Sequence, residues 1–298
     1  MIKAYIAYNI TNSPHGGGNQ FLRALRNEFV KMGLYSKLAR DSDVVVFNSH
    51  QNLDQVMEIR RKFPKKTFVH RVDGPMRLYN DMSDNRDFKV YQMNDKVAKA
   101  TVFQSHWSME RNFEMGMDDN KPWAVIQNSI NQDIFNNKNI EKNTEKVRCI
   151  STSFSPNYRK GHKFYQFLDS HLDFDKYEYV FVGNSPVKYK NIETLGCLDS
   201  YGVARELKKS DVYITASEND PCSNSLLEAV ACGLPALALN SGGHPEILKN
   251  KKNLFDTQEE LLFKINLLEN LKISTQIDTI EEVALKYVAF FEQVFGKE

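Results

Sequence analysis

The sequence predicts an α/β protein built as two doubly wound, Rossmann-like domains facing each other across a cleft. Three observations predict it. Short apolar runs alternate with amphipathic helical segments through both halves of the 298 residues. A glycine run, Gly16 to Gly18, follows the first apolar run and precedes a helix. Residues 211–239 read as strand, loop, capped helix and strand, a βαβ unit whose loop lies at the carboxyl end of a parallel strand. Ligands of such sheets bind at that edge.

The first half opens with strand 4–8 and a loop over 9–19. Helix 20–32 follows, with Phe21, Leu22, Leu25, Phe29 and Met32 on one apolar face. Strands are expected at 44–47, 67–70, 89–92, 101–104 and 123–127, and helices at 53–63, 94–99 and 106–115. Little chain separates helix 20–32 from strand 44–47, so units usual in such a domain are trimmed. The Asn- and Lys-rich stretch 136–146 is the linker candidate. The second half predicts strands 147–152, 177–183, 192–197, 211–215 and 234–239, with helices 161–171, 203–209 and 223–232. From Thr257 the tail reads as helical. Its last helix, 280–295, carries Val283, Leu285, Tyr287, Val288, Phe291 and Val294 and is expected to pack back on the first domain. The domains are thus 1–135, with a C-terminal helix of about 280–298, and 136–279.

Composition excludes several classes. Hydrophobic residues make up 41% and charged residues 26%, as in soluble globular chains. No apolar run is long enough to span a bilayer, and MIKAYIAYNI lacks the basic head and cleavage site of a signal peptide. The expected location is cytoplasmic, at most the cytoplasmic face of a membrane. Cys149, Cys197, Cys222 and Cys232 have no metal-binding spacing and read as reduced thiols. Net charge is +1, with the basic excess in the first half. Arg60, Arg61, Lys62, Lys65 and Lys66 form either a solvated helix end or a weak patch for an anionic membrane or glycan. No nucleic-acid-binding signature is present.

The chemistry concentrates in Asp220 to Pro235 (DPCSNSLLEAVACGLP). Ser223 or Asn224 caps the helix, and Gly233 and Pro235 stop it. The helix N-terminus, with backbone N–H groups of Ser223, Asn224 and Ser225, suits a phosphate. Glu228, about a turn inside, can accept from a ribose diol, and Asp220 can hold hydroxyls of a group attached to the phosphates. Diphosphate, ribose and a hydroxylated appendage describe a nucleotide sugar.

These residues resemble the acidic-x7-acidic motif of retaining glycosyltransferases with the GT-B fold, most closely glycosyltransferase family 4, the glycosyl transferases group 1. Glu228 to Pro235 (EAVACGLP) and Ser241 to Glu246 (SGGHPE) also fit that family. The first acid is Asp220 where the family usually has Glu, and Glu218 lies two residues earlier, so either can touch the donor sugar. Val125 to Phe135 resembles the family's interdomain segment, with Ser129 in a slot that is usually glycine. The resemblance implies further roles. Lys160 fills the slot of the cation that neutralises the leaving diphosphate, and Arg159 substitutes for an arginine missing around Ser153 and Phe154. Gly17 and Gly18 lie where the family places a loop near the donor phosphate. His70, with Asp73 as its rival, fills the place of a histidine near the acceptor or donor hydroxyl.

The expected reaction is therefore retaining transfer from a UDP- or GDP-linked sugar to a glycan, lipid-linked glycan or other hydroxyl acceptor, with no metal and no cofactor. Other readings are a sugar-nucleotide epimerase of the same fold and a non-catalytic nucleotide- or glycan-binding protein. A metal-dependent GT-A transferase would need Asp41-Ser42-Asp43 as its metal site, but that triplet precedes a strand rather than following one.

Overall fold

The computed structural model describes residues 2–11, 16–140, 145–268 and 277–295. The described residues divide into two compact units. One comprises residues 2–11, 18–129 and 278–295, and the other residues 16–17, 130–140, 145–268 and 277. The boundaries fall a few residues from those read off the sequence, at 129/130 and 277/278 rather than at 135 and 279.

In the first unit β1 (Ala4–Ala7) leads to α1 (Gly17–Lys31), β2 (Val44–Asn48), α2 (Leu53–Lys62) and β3 (Thr67–Val72). Then come α3 (Met76–Tyr79), α4 (Arg86–Val97), β4 (Ala100–Phe103), α5 (His106–Glu114) and β5 (Trp123–Val125). The strands form one parallel sheet in the order β1-β2-β3-β4-β5. Every residue of β2, β3 and β4 is buried. That is why these strands read as continuous apolar runs rather than as alternation.

Helices nonetheless cover both faces of this sheet. Phe21, Leu22, Leu25 and Phe29 of α1 pack on Ala4, Ile6, Val44 and Val46. Val56 and Ile59 of α2, with Met93 and Val97 of α4, pack on Val45, Phe47 and Phe68 of the opposite face. Moreover, Tyr35 makes a lone parallel bridge to Ala4. Ala4 donates to Leu34 O and Ser36 donates to Ala4 O, each at 2.8 Å. This three-residue remnant stands on the outer edge of β1, so the chain reverses its direction of winding between the remnant and β2. The short 32–44 connection thus carries a single bridge in place of a full strand.

One expectation is corrected here. Residues 89–92 are not a strand; they lie inside α4, which runs from Arg86 to Val97. Asp87, Val90, Met93, Asn94 and Val97 are buried at three- and four-residue spacing, a helical face that the short Val-Tyr run obscured. The glycine run also enters α1 rather than forming a loop before it, since the helix begins at Gly17.

The second unit contains β6 (Val147–Ser153), α6 (His162–His171), β7 (Tyr177–Gly183), β8 (Glu193–Thr194) and α7 (Ser200–Lys208). These are followed by β9 (Val212–Thr215), α8 (Asn224–Ala231), β10 (Ala236–Leu239), α9 (His244–Leu248), β11 (Leu254–Phe255) and α10 (Gln258–Ile265). The sheet order is β11-β10-β9-β6-β7-β8, all parallel. The strands after β6 go first to one side and then, with β9, to the other. The winding therefore reverses between β6 and β9.

Helix α11 (Ile280–Val294) belongs to the first unit. A capping box between Thr279 and Glu282 starts it. Val283, Tyr287, Phe290, Phe291 and Val294 pack with Phe21, Leu25 and Phe29 of α1. Ser129 is buried there, and its hydroxyl donates to Asp278 O at 2.7 Å. The serine in the glycine slot thus anchors the returning chain, and its φ is not positive.

Candidate active site

In the second unit the reversal point brings two sequence-predicted residues together. Lys160 closes a short 3-10 turn (Tyr158–Lys160) just beyond β6, which Asn157 caps by accepting from Arg159 N. Gly161 follows with φ of 102°, and a Cβ there would stand 2.8 Å from Ala216 Cβ and 2.9 Å from the Tyr165 ring. Only glycine lets this turn lie against the end of β9. Asp220 lies five residues beyond β9, and Lys160 Nζ donates to its Oδ2 at 2.8 Å.

The Asp220 loop is fixed by its neighbours. Gly243 N donates to Asp220 O at 2.8 Å. Asn219, at φ of 54°, donates its N–H to Ser241 Oγ. A Cβ on Gly242 would come within 2.3 Å of Asp220 O, so Ser241-Gly242-Gly243 is a backbone cradle for this acid. Both carboxylate oxygens are occupied: Oδ2 by Lys160 and, at 3.4 Å, Ser217 Oγ; Oδ1 by Cys222 N at 3.2 Å. Burial raises the Asp220 carboxyl, but Lys160, His244 and the Cys222 N–H together outweigh it and hold it below its ordinary value. His244 is fully buried, with Nδ1 2.9 Å from Leu239 O, and burial pushes its imidazole down against the pull of Asp220. Glu218 N donates to Arg159 O at 2.9 Å, which ties the two loops together. The Glu218 side chain is half-buried and makes no ion pair or hydrogen bond among the described residues.

Helix α8 begins where these loops meet. Ser223 caps it by accepting from Leu226 N at 3.4 Å, and its hydroxyl is 3.1 Å from Ser225 Oγ. Asn224 is the first helical residue. Glu228 lies five residues beyond the cap, partly exposed, with no side-chain partner among the described residues. Burial pushes its carboxyl up to about 8. An unpaired carboxyl kept near neutrality is an unfilled hydrogen-bonding position, and such groups concentrate at functional sites. Cys222 is buried and outside any disulfide, and its backbone N–H donates to Asp220 Oδ1.

In the first unit the candidates separate. His70 has no exposed surface, stacks on Phe47 at 4.1 Å, and is bonded at both ring nitrogens, to Ser49 O at 3.0 Å and Asn94 Nδ2 at 3.2 Å. Burial pushes it down to about 3. The catalytic expectation for His70 is corrected: a neutral ring with both nitrogens committed to protein cannot reach an acceptor hydroxyl. Asp73, just past β3, keeps part of its surface exposed. Gly17 and Gly18 are the first two residues of α1. The basic run is largely spent locally. Arg60 donates to Pro64 O, Lys62 pairs with Glu58 at 2.6 Å, and Lys66 donates to Arg40 O and Ser42 O.

Sequence reasoning missed Ser217, the bearing of His244 on Asp220, and a buried polar cluster around Arg71. Ser217 lies only three residues from Asp220 but matches no motif, and the other two act through residues distant in sequence. Among the described residues no group of three or more His, Cys, Asp or Glu is placed to hold a metal ion, and no helix is long and apolar enough to cross a membrane.

Residues 157–282 match the family model of the glycosyl transferases group 1. No curated protein sequence matches the chain. Solved structures match over nearly all of it. The sucrose-phosphate synthase of Thermosynechococcus elongatus superposes with a TM-score of 0.71 at 12% identity, covering 98% of this chain and 94% of that one. HepE of Anabaena, in complex with UDP-glucose, gives 0.69 at 13% identity, covering 99% and 96%. A trehalose-6-phosphate synthase, solved in a study of glycosyltransfer with retention, gives 0.64 at 11% identity, covering 93% and 79%. The fold is the α/β GT-B fold of such enzymes.

Proposed function

We propose that this chain, a nucleotide-sugar glycosyltransferase whose residues 157–282 belong to the glycosyl transferases group 1, moves a sugar from a UDP-linked donor to a carbohydrate hydroxyl with retention and without a metal. The observation that carries the reading is the Lys160–Asp220 pair at the point where the second sheet reverses, beside the start of α8. A nucleoside diphosphate needs cations and N–H groups there, because negative charge grows on it as it departs. Lys160, with Arg159 and the amides at Ser223, Asn224 and Ser225, supplies them. Glu228 takes the ribose diol. A diphosphate that draws Lys160 toward itself releases Asp220 Oδ2 for a hydroxyl of the donor sugar, and Glu218 offers a second carboxylate. HepE with UDP-glucose supports the choice of donor, and the trehalose-6-phosphate synthase study supports retention.

In the transfer the bond from the anomeric carbon to the phosphate oxygen breaks and a bond to the acceptor oxygen forms on the same face. The acceptor proton passes to the leaving phosphate oxygen, and UDP departs. Two carboxylates in this role are not the acid and base of a glycosidase.

Thermal unfolding with UDP, GDP and ADP, each with magnesium and with EDTA, tests the proposal. Ligand at about 100 times its Kd adds about 2.7 kcal/mol, a rise of several degrees. A rise with UDP that survives EDTA, followed by transfer from UDP-glucose with the product anomer read by NMR, is the expected result. A rise that needs magnesium removes metal independence. No rise with any nucleotide removes the donor site.

A further inference from the structure

The Asp73 carboxylate is gripped on one oxygen only. Its Oδ1 accepts from Arg71 Nη1 at 3.1 Å and from the Gln104 amide. Its N–H donates to Ser49 Oγ at 2.8 Å, and its carbonyl accepts from Ser108 Oγ at 3.2 Å and Asn112 Nδ2 at 3.0 Å. Oδ2 has no hydrogen-bond partner among the described residues, and the side chain keeps 20% of its surface exposed. A loop carboxylate that merely met solvent would not be tied at its N–H, its carbonyl and one oxygen.

Arg71 supplies the direction of that grip. Its guanidinium has no exposed surface and lies over the Phe21 ring at 4.7 Å. Nη1 also donates to Asn48 Oδ1, and Nη2 donates to Asn128 Oδ1 at 2.8 Å. Asn128 Nδ2 in turn donates to Gln104 Oε1 at 2.8 Å. Arg71, Asp73, Gln104 and Asn128 thus form a closed ring of hydrogen bonds. The planar fork cannot turn without breaking it. The ring lies at the carboxyl edge of the first sheet, where the end of β2 (Asn48) meets the end of β3 (Arg71). Ligands bind at that edge.

The geometry points to Arg71 as a positioning residue that, through Asp73, presents one fixed carboxylate oxygen to a hydroxyl of a carbohydrate acceptor. The inference rests on the glycosyltransferase reading above and deepens it on the acceptor side. Asp73 Oδ2 accepts from a hydroxyl next to the attacking one and so fixes the acceptor ring, while the attacking hydroxyl keeps its proton for the leaving phosphate oxygen. Arg71 touches no substrate and acts only by holding Asp73.

UDP release from UDP-glucose, measured with and without the methyl glycosides of glucose, galactose and mannose, selects the probe acceptor as the sugar that accelerates it most. Arg71→Lys keeps the buried charge but loses the fork. It is expected to cut that acceleration at least tenfold through kcat, with the KM for UDP-glucose within twofold. Asp73→Asn is expected to cut it as much, and the double variant to lose no more than Asp73→Asn alone, because both act on one oxygen. Full acceleration in Arg71→Lys, or losses that multiply in the double variant, overturns the proposal. So does the absence of acceleration by any of the three sugars in a wild-type protein that binds UDP. A wild-type protein that shows neither UDP binding nor UDP release removes the functional reading itself and takes this inference with it.

Discussion

Two buried arginines stand at opposite edges of two similar sheets. Arg148 is the second residue of β6, at the amino edge. It pairs with Glu178 at 2.8 Å and Glu206 at 2.9 Å, and donates to Ser210 Oγ and Glu206 O. Glu206 commits its other oxygen to Lys209. Arg71, near the carboxyl end of β3, has one carboxylate and two amide oxygens, and its Nε is buried without a hydrogen-bond partner among the described residues. Its carboxylate keeps one oxygen uncommitted. Saturation at the amino edge serves the fold, and unspent hydrogen-bonding capacity at the carboxyl edge serves a ligand. Lys160 belongs with the second kind, since its ion pair with Asp220 gives way to a diphosphate in the proposed reaction.

The comparison breaks first at Arg148. Arg148→Met leaves Glu206 buried beside an apolar chain, at an expected cost of about 3–5 kcal/mol in urea unfolding, with the KM for UDP-glucose unchanged. A loss below about 1 kcal/mol, or weaker donor binding, would erase the distinction between the edges. At the other edge, Lys160→Ala is expected to lower kcat for transfer from UDP-glucose by roughly 10²–10³. Measuring the stability of Asp220→Asn beside it separates lost catalysis from the unpaired acid that the alanine leaves behind. An unchanged kcat in Lys160→Ala would remove the cation from the mechanism.

The third test concerns Glu228, the unpaired acid of the same edge. Its folded pKa of about 8 lies above the ordinary carboxylate value of about 4.3. The folded state therefore binds more protons between those values, and stability falls as pH rises through them. The contribution is complete below about pH 4 and lost above about pH 8. Melting temperatures from pH 4 to pH 9 should decline less in Glu228→Gln than in the wild type. Parallel curves would mean that the side chain is solvated.

The motif around Asp220 and Glu228 was legible because its signals are local: an apolar run, a capping serine, and glycine and proline at the helix end all fall within a few turns of chain. The helix over 86–97 was misread because Val90 and Tyr91 mimic a short strand, while the partners that bury its face lie far away in sequence. His70 misled for a related reason. A histidine at a strand end looks alike whether it faces solvent or, as here, stacks on Phe47. The Arg71 ring draws on residues 71, 73, 104 and 128, and no spacing rule announces a cycle closed across three strand ends. The strand remnant at Tyr35 was equally silent, since one bridge leaves no periodicity.

The packing of α11 on α1 sets an order of events during synthesis. Phe21, Leu25 and Phe29 leave the ribosome long before the side chains that cover them, Tyr287, Phe290 and Phe291. The nascent first unit must wait with an open apolar flank while all of the second unit emerges behind it. The unit encoded second is therefore the first able to finish folding, and a ribosome stalled before codon 280 would display the first unit with that flank still open.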